Sequence, residues 1–358
     1  MIDPHVHLRD GSERAKETLE HGLGVAWRAG LDGVFEMPNT DPPLAGRDAI
    51  ARRIDDADLA IDRLGIGIFH GIWAGLTPDP AQIEDVVRSW AEMRPRVAGL
   101  KLFAGPSTGG LGVTDLETQR AVWTRLAELG FDGVVAVHCE KEEAFARLSD
   151  GSPDWDPARP SSWSAARPPG AETASVEDQI GLSGEAGFRG TVHVAHVSVP
   201  DALEAITRAR AAGRRVTCGL TPQHALLSAD DLDRPDGVLL KTNPPLRPAP
   251  MPGLMLQALL DGAIDWVESD HAPHTLGDKR ERHASGIPVL HFWPRFVAIL
   301  RERGIPPDLL ARVTHEAACE TLQAAVEDAG REPDPDLERE YPFDPFARDF
   351  LHVTQDPR

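Results

Sequence analysis

The chain is poor in cysteine, in tyrosine and in positive charge, and each shortage removes a class of protein. Its three cysteines make no disulfide framework: Cys139 and Cys218 fall in apolar strand-like runs and Cys319 in a helical one, without the paired spacing of a thiolate zinc knuckle. Lys and Arg number 37 against 57 Asp and Glu, a net charge of -20, so nucleic acid is not expected as a partner. No apolar run reaches the roughly 18 residues that a membrane helix needs. Polar residues follow Met1 almost at once, which leaves no room for the basic and apolar regions of a signal peptide. The expected compartment is a reducing cytoplasm, with no membrane association.

What the chain does have is length and rhythm. Its 358 residues, 41% of them hydrophobic, can bury one large core. Short β-rich runs recur, each followed by a longer helical pattern, as in parallel sheets with crossover helices. About eight strands are predicted, at residues 2–7, 32–37, 65–73, 97–103, 133–138, 191–196, 214–218 and 265–270. That number of βα units predicts an α/β fold, a closed TIM-type (β/α)8 barrel over residues 1–330. The helical pattern at 115–129 places Leu116, Val122, Leu126 and Leu129 on one packing face. Two long connections, 149–170 and 221–252, interrupt the rhythm and are of a length that is usually functional or disordered. The acidic, proline-rich segment 331–358 is expected as a surface extension packing on or trailing from the barrel.

His5 and His7 stand two apart on the first strand, so both side chains leave the same face and can meet one ion. Lys101, His138, His196 and Asp270 each fall near the C-terminal end of a predicted strand, where TIM barrels assemble their sites. Lys101 lies within the apolar run GLKLF, where an unpaired ammonium is costly. Reaction of its amine with carbon dioxide would give a carbamate able to bridge two cations, beside imidazole ligands. Arg9 would bring a guanidinium beside the same mouth, a planar fork suited to a carboxylate, and Asn39 could add an amide donor. Plainer roles exist for both: a surface ion pair with Asp10, and a turn residue after Pro38.

In DPHVHLRDG, MPNTDPP, GLKLF, VAVHCE, VAHVS, LTPQH, KTNPPLR and SDHAPH, in that order from residue 3 to residue 274, the chain resembles dihydroorotases of the amidohydrolase superfamily. The resemblance implies two divalent metal ions, zinc by default. His5, His7 and Asp270 would hold the more buried one, and carboxylated Lys101 would bridge to a second held by His138 and His196. His193 competes with His196, but the family's histidine comes just before the VS pair, which favours His196. His21, His70, His283, His291 and His315 match no ligand motif and are read as ordinary polar residues. Arg9, Asn39 and His274 would hold the substrate carboxylate. Thr108, in GPSTGG, would belong to a loop closing over the substrate, with a glycine following where some relatives carry a second threonine. The backbone around Asn243 would border the ring.

The implied reaction is the reversible cyclisation of N-carbamoyl-L-aspartate to L-dihydroorotate in pyrimidine biosynthesis. Two divalent ions would lower the pKa of a bridging water, and Asp270 would act as general base and then general acid. A small-molecule substrate is expected, with a homodimer or association with aspartate transcarbamoylase as further possibilities. The rivals are a hydantoinase, dihydropyrimidinase or allantoinase, or a catalytically silent homologue. Hydantoinase-like enzymes use a tyrosine at the oxyanion, whereas the one tyrosine here is Tyr341. Many superfamily members add a small β-sandwich. With the first ligand strand starting at residue 2, a barrel without a substantial sandwich is expected.

Overall fold

The computed structural model describes residues 1–107, 110–149, 151, 153–334 and 337–347. Eight parallel strands pair in chain order: β1 (Ile2–Val6), β2 (Gly33–Glu36), β3 (Phe69–Gly75), β4 (Val97–Ala104), β5 (Val134–Cys139), β6 (Thr191–Val194), β7 (Val216–Leu220) and β8 (Trp266–Val267). Beyond β8 the chain returns to β1 through a bridge between Val6 and His271, where the His7 N–H donates to the His271 carbonyl at 2.8 Å. Each strand is followed by a principal helix: α1 (Leu19–Arg28), α2 (Arg47–Leu64), α3 (Pro80–Met93), α4 (Leu116–Glu128), α5 (Pro169–Glu185), α6 (Pro200–Ala211), α7 (Met251–Leu260) and α8 (Trp293–Glu302). This is the (β/α)8 barrel, and no second sheet occurs among the described residues.

Strand alternation divides the apolar side chains into two layers. Val34, Ile72, Leu100, Val135 and Val192 belong to the large cluster between strands and helices, while Phe35, Trp73, Ala136 and Trp266 form a second cluster. The same alternation sends Lys101 and His138 to the side of the second cluster, toward the barrel axis. Helix boundaries follow from capping: the Thr18 hydroxyl accepts from the His21 N–H at 3.2 Å to start α1, and Asp115 accepts from the Thr118 N–H at 2.8 Å to start α4. In α4, Val122 and Leu126 are buried as the helical spacing requires, together with Trp123.

Two strands differ from expectation. The run from residue 65 is not strand at its start, because Gly65 (φ 63°) ends α2 in the left-handed conformation and β3 begins only at Phe69. The last strand is short, since the chain leaves β geometry by Asp270, whose φ is 49°. The described part of the C-terminal segment is more than a surface extension: Leu337, Tyr341 and Phe343 are buried, and Phe346 stacks on Phe292 at 3.7 Å. Arg331 donates to Asp32 at 2.8 Å. No helix among the described residues is long and apolar enough to cross a membrane.

Candidate metal centre

At the C-terminal ends of the strands a cavity of about 310 Å³ is lined by His5, His7, Lys101, His138, His196 and Asp270, so all six predicted ligands meet there. Its wall also includes Arg9, Asn39, Asn243 and His274. Thr108 lies outside the described residues, although Pro106 and Ser107 before it reach the cavity. A larger groove, of about 510 Å³, opens behind Thr40 and Asp41; its lining arginines and acids balance in number, and no predicted metal ligand reaches it.

His5, His7 and Asp270 are buried and offer ligand atoms within 4.8 Å of one another, the only such cluster among the described residues. Asp270 Oδ1 lies 3.2 Å from His5 Nε2 and 3.0 Å from His7 Nε2. His138 Nδ1 faces His196 Nε2 at 3.1 Å. Lys101 Nζ is fully buried without a hydrogen-bond partner, and burial brings its amine down to about 8. Burial likewise holds His7 down, to about 4, and His196 well below its usual value. Burial would raise the Asp270 carboxyl, but His5 and His7 outweigh it and keep it well below the usual carboxylate range. Four clustered imidazoles, of which His7 and His196 are held neutral, with an ionised carboxylate and an orphaned buried amine, are a donor set that fits divalent metal.

Buried carboxylates stand behind these side chains. Glu140 Oε2 lies 3.0 Å from His138 Nε2, which leaves Nδ1 to face the cavity, and Arg167 clamps Glu140 through Nε at 2.9 Å and through Nη2. Glu268 accepts from the His196 backbone N–H, lies 3.6 Å from His5 Nδ1, and meets His193 Nε2 at 3.1 Å and Trp266 Nε1 at 3.0 Å. His193 is thereby placed outside the cavity, stacked on Trp266 with ring centroids 4.1 Å apart. A methyl group at Gly219 would overlap the Glu268 carboxylate, so glycine is required at that close approach.

Arg9 is buried, and its ion-pair partner is Glu13, at 3.8 Å, rather than Asp10; among the described residues its Nε has no hydrogen-bond partner. Arg53 Nη2 donates to the Arg9 carbonyl and fixes the turn. His274 Nε2 lies 3.0 Å from the Ser285 carbonyl, so this nitrogen carries the hydrogen, and Arg9 Nη2 stands 3.4 Å away. Burial, then the Arg9 charge, holds His274 neutral, with its pKa down at about 2. Arg9, Asp10, His196 and Asp270 all have positive φ, at 46°, 91°, 41° and 49°, conformations that non-glycine residues rarely adopt.

Among residues passed over in the sequence, Glu268 carried a usable signal, since it stands two before Asp270 on the last strand run and shares its face. Glu140 lies within a quoted motif without an assigned role. Arg167 and Trp163 sit in the irregular connection 149–170, where no periodicity marks them.

No family model matches the chain. It is 37% identical over 281 residues to a dihydroorotase from Halobacterium salinarum, covering 78% of this chain and 60% of that one. Further dihydroorotases match at 30% to 32% identity, and the chain spans 60% to 65% of the length of these curated relatives. An allantoinase from Streptomyces avermitilis is 31% identical over 291 residues, covering 80% of this chain and 60% of that one. The fold is shared with the L-hydantoinase (dihydropyrimidinase) of Arthrobacter aurescens, with a TM-score of 0.74, 24% identity, and coverage of 90% of this chain and 70% of that one.

Proposed function

We propose, on the premise that the chain is a homologue of dihydroorotases over 78% of its length, that it interconverts N-carbamoyl-L-aspartate and L-dihydroorotate. The observation that carries this reading is Arg9: a buried guanidinium, with its nearest ion-pair partner at 3.8 Å, lines the same cavity as the His5, His7 and Asp270 cluster. Such a group calls for an anion, and a carboxylate on the substrate meets its fork.

His5, His7 and Asp270 would hold one divalent ion and His138 and His196 the other, with N6-carboxylated Lys101 shared by both and zinc the default metal. Bound there, the metals would supply Lewis acidity, polarising the amide carbonyl and lowering the pKa of water. The chain's own residues do the rest. The Asp270 carboxylate, held ionised in a buried site, takes the proton of the attacking water and returns it to the departing ring nitrogen. Arg9 binds the substrate carboxylate and Asn39 adds an amide donor, while neutral His274 braces that wall through Ser285. In the cyclising direction the same proton moves run in reverse.

The absence of tyrosine from the cavity supports dihydroorotate over hydantoin: Tyr341, the one tyrosine of the chain, donates from its hydroxyl to Glu17 at 2.8 Å, behind His271. The deciding assay follows carbamoyl-aspartate and dihydroorotate interconversion, with dihydrouracil, hydantoin and allantoin as controls. Turnover of a control but not of dihydroorotate rejects the substrate assignment. Lys101→Ala that keeps its full metal complement rejects the bridging role.

A further inference from the structure

We propose that Trp163 is a positioning residue that sets which way the Asn243 amide faces, making that wall of the cavity a hydrogen-bond donor to a ring carbonyl. The proposal rests on the reading above that the cavity takes cyclic amides. Trp163 sits on the short helix Ser162–Ala166, inside the connection that the barrel itself does not require, and is 7% exposed. Its indole nitrogen lies 3.1 Å from Asn243 Oδ1 and 3.2 Å from the Thr242 carbonyl. An indole nitrogen can only donate, so the oxygen of the Asn243 amide must face it. The amide NH2 then occupies the other branch. Among the described residues it has no hydrogen-bond partner, it is not cut off from solvent, and Asn243 lines the cavity. The wall therefore presents a donor at this point.

The ring that imposes this choice is itself held on its faces. Lys241 Nζ lies 3.7 Å from the Trp163 ring centroid and is kept there by a 2.7 Å hydrogen bond to Ser285 Oγ. The Arg167 guanidinium lies 4.9 Å from the same ring while it clamps Glu140. With Trp163 absent, the Asn243 amide could turn over and present its oxygen, which suits a ring N–H instead. Trp163 thus ties substrate recognition to the same arginine that orients His138 through Glu140.

The test is a double-mutant cycle of Trp163→Phe and Asn243→Asp, run on whichever of dihydroorotate, dihydrouracil, hydantoin and allantoin the wild type turns over, with metal content and melting recorded for each protein. Trp163→Phe keeps an aromatic face for Lys241 and deletes the N–H together with part of the ring; Asn243→Asp keeps an acceptor for the indole and deletes the donor. Each single variant is expected to raise KM about three- to tenfold, the value of one hydrogen bond, with kcat nearly unchanged. The double variant should be no worse than the poorer single, because both break one interaction. Additive losses, or an unchanged KM in Trp163→Phe, overturn the proposal. If Trp163→Phe does not fold, Asn243→Asp decides: an unchanged KM overturns it and a raised KM upholds it. A wild type inert toward all four compounds overturns the cyclic-amide reading and this one together, whereas an active wild type with additive losses overturns this one alone.

Discussion

Replacing Arg9 separates two tasks that the cavity performs in different places. Among the described residues the guanidinium meets Glu13 and His274 and none of the six proposed ligands, so Arg9→Lys should leave metal content intact and lower kcat/KM for dihydroorotate about 10- to 100-fold, the range for a lost charge-assisted hydrogen bond. Any trace activity on dihydrouracil, which lacks the carboxylate, should not change. Equal losses on both compounds would mean that Arg9 is structural. Glu268 performs the other task, meeting His5, His193 and the His196 backbone from beneath. Glu268→Gln should weaken metal affinity by about 10- to 100-fold, as outer-shell changes do, read by metal retained during titration with a chelator. Retention equal to wild type would remove Glu268 from the site. The clustering of the paired histidines near the start was legible because strand alternation puts them on one face. Glu268 obeys the same rule in the run DWVESD, but as one of four polar residues there it matches no ligand motif.

Between β2, β3 and α2 lies a polar seam that no sequence pattern announced. Glu36 accepts from Arg53 Nε at 2.8 Å and lies 3.1 Å from His70 Nε2, all three side chains being largely shielded from water. Burial alone would raise the Glu36 carboxyl, but Arg53 and His70 outweigh it and hold it at about 2, against 4.5 when free. A depressed carboxyl contributes its stability above the free value and loses it as pH falls through the folded one. The window is therefore pH 5 down to 2, and the displacement corresponds to roughly 3 kcal/mol. Denaturant midpoints of wild type should fall across that window more steeply than those of Glu36→Gln; parallel profiles would refute the assignment. His70 lies on β3 and meets Glu36 rather than lining the cavity. The strand order was legible because runs such as 97–103 and 133–138 are apolar and β-branched. The start of β3 was not, since a glycine closing a helix and one opening a strand read alike. Nor was the connection 149–170, whose contacts with Asn243 and Glu140 are wholly long-range.

The described C-terminal segment ties Glu17, just before α1, to the chain beyond β8, through Tyr341 on Glu17 and His271 and through Phe343 in a cluster with Ile287 and Val289. Ending the chain after residue 336 exposes apolar surface where Leu337, Tyr341 and Phe343 had packed. Their burial is worth on the order of 5 kcal/mol, so the truncated chain should melt well below the full one; an unchanged melting temperature would show the segment to be dispensable. A bound metal would act on the whole molecule in the same sense. A chelator should abolish activity and lower the melting temperature by an amount that grows with the metal concentration it removes, and zinc should restore both. No response to chelation would argue against a metal enzyme. Finally, the left-handed backbone at Arg9, Asp10, His196 and Asp270 means that the rim is a sprung clasp on a stiff cylinder. Each such residue carries about 1–3 kcal/mol that the staves must withhold from release. On warming, the clasp should let go before the cylinder parts, so activity should fade at temperatures where the bulk of the amides are still protected from exchange.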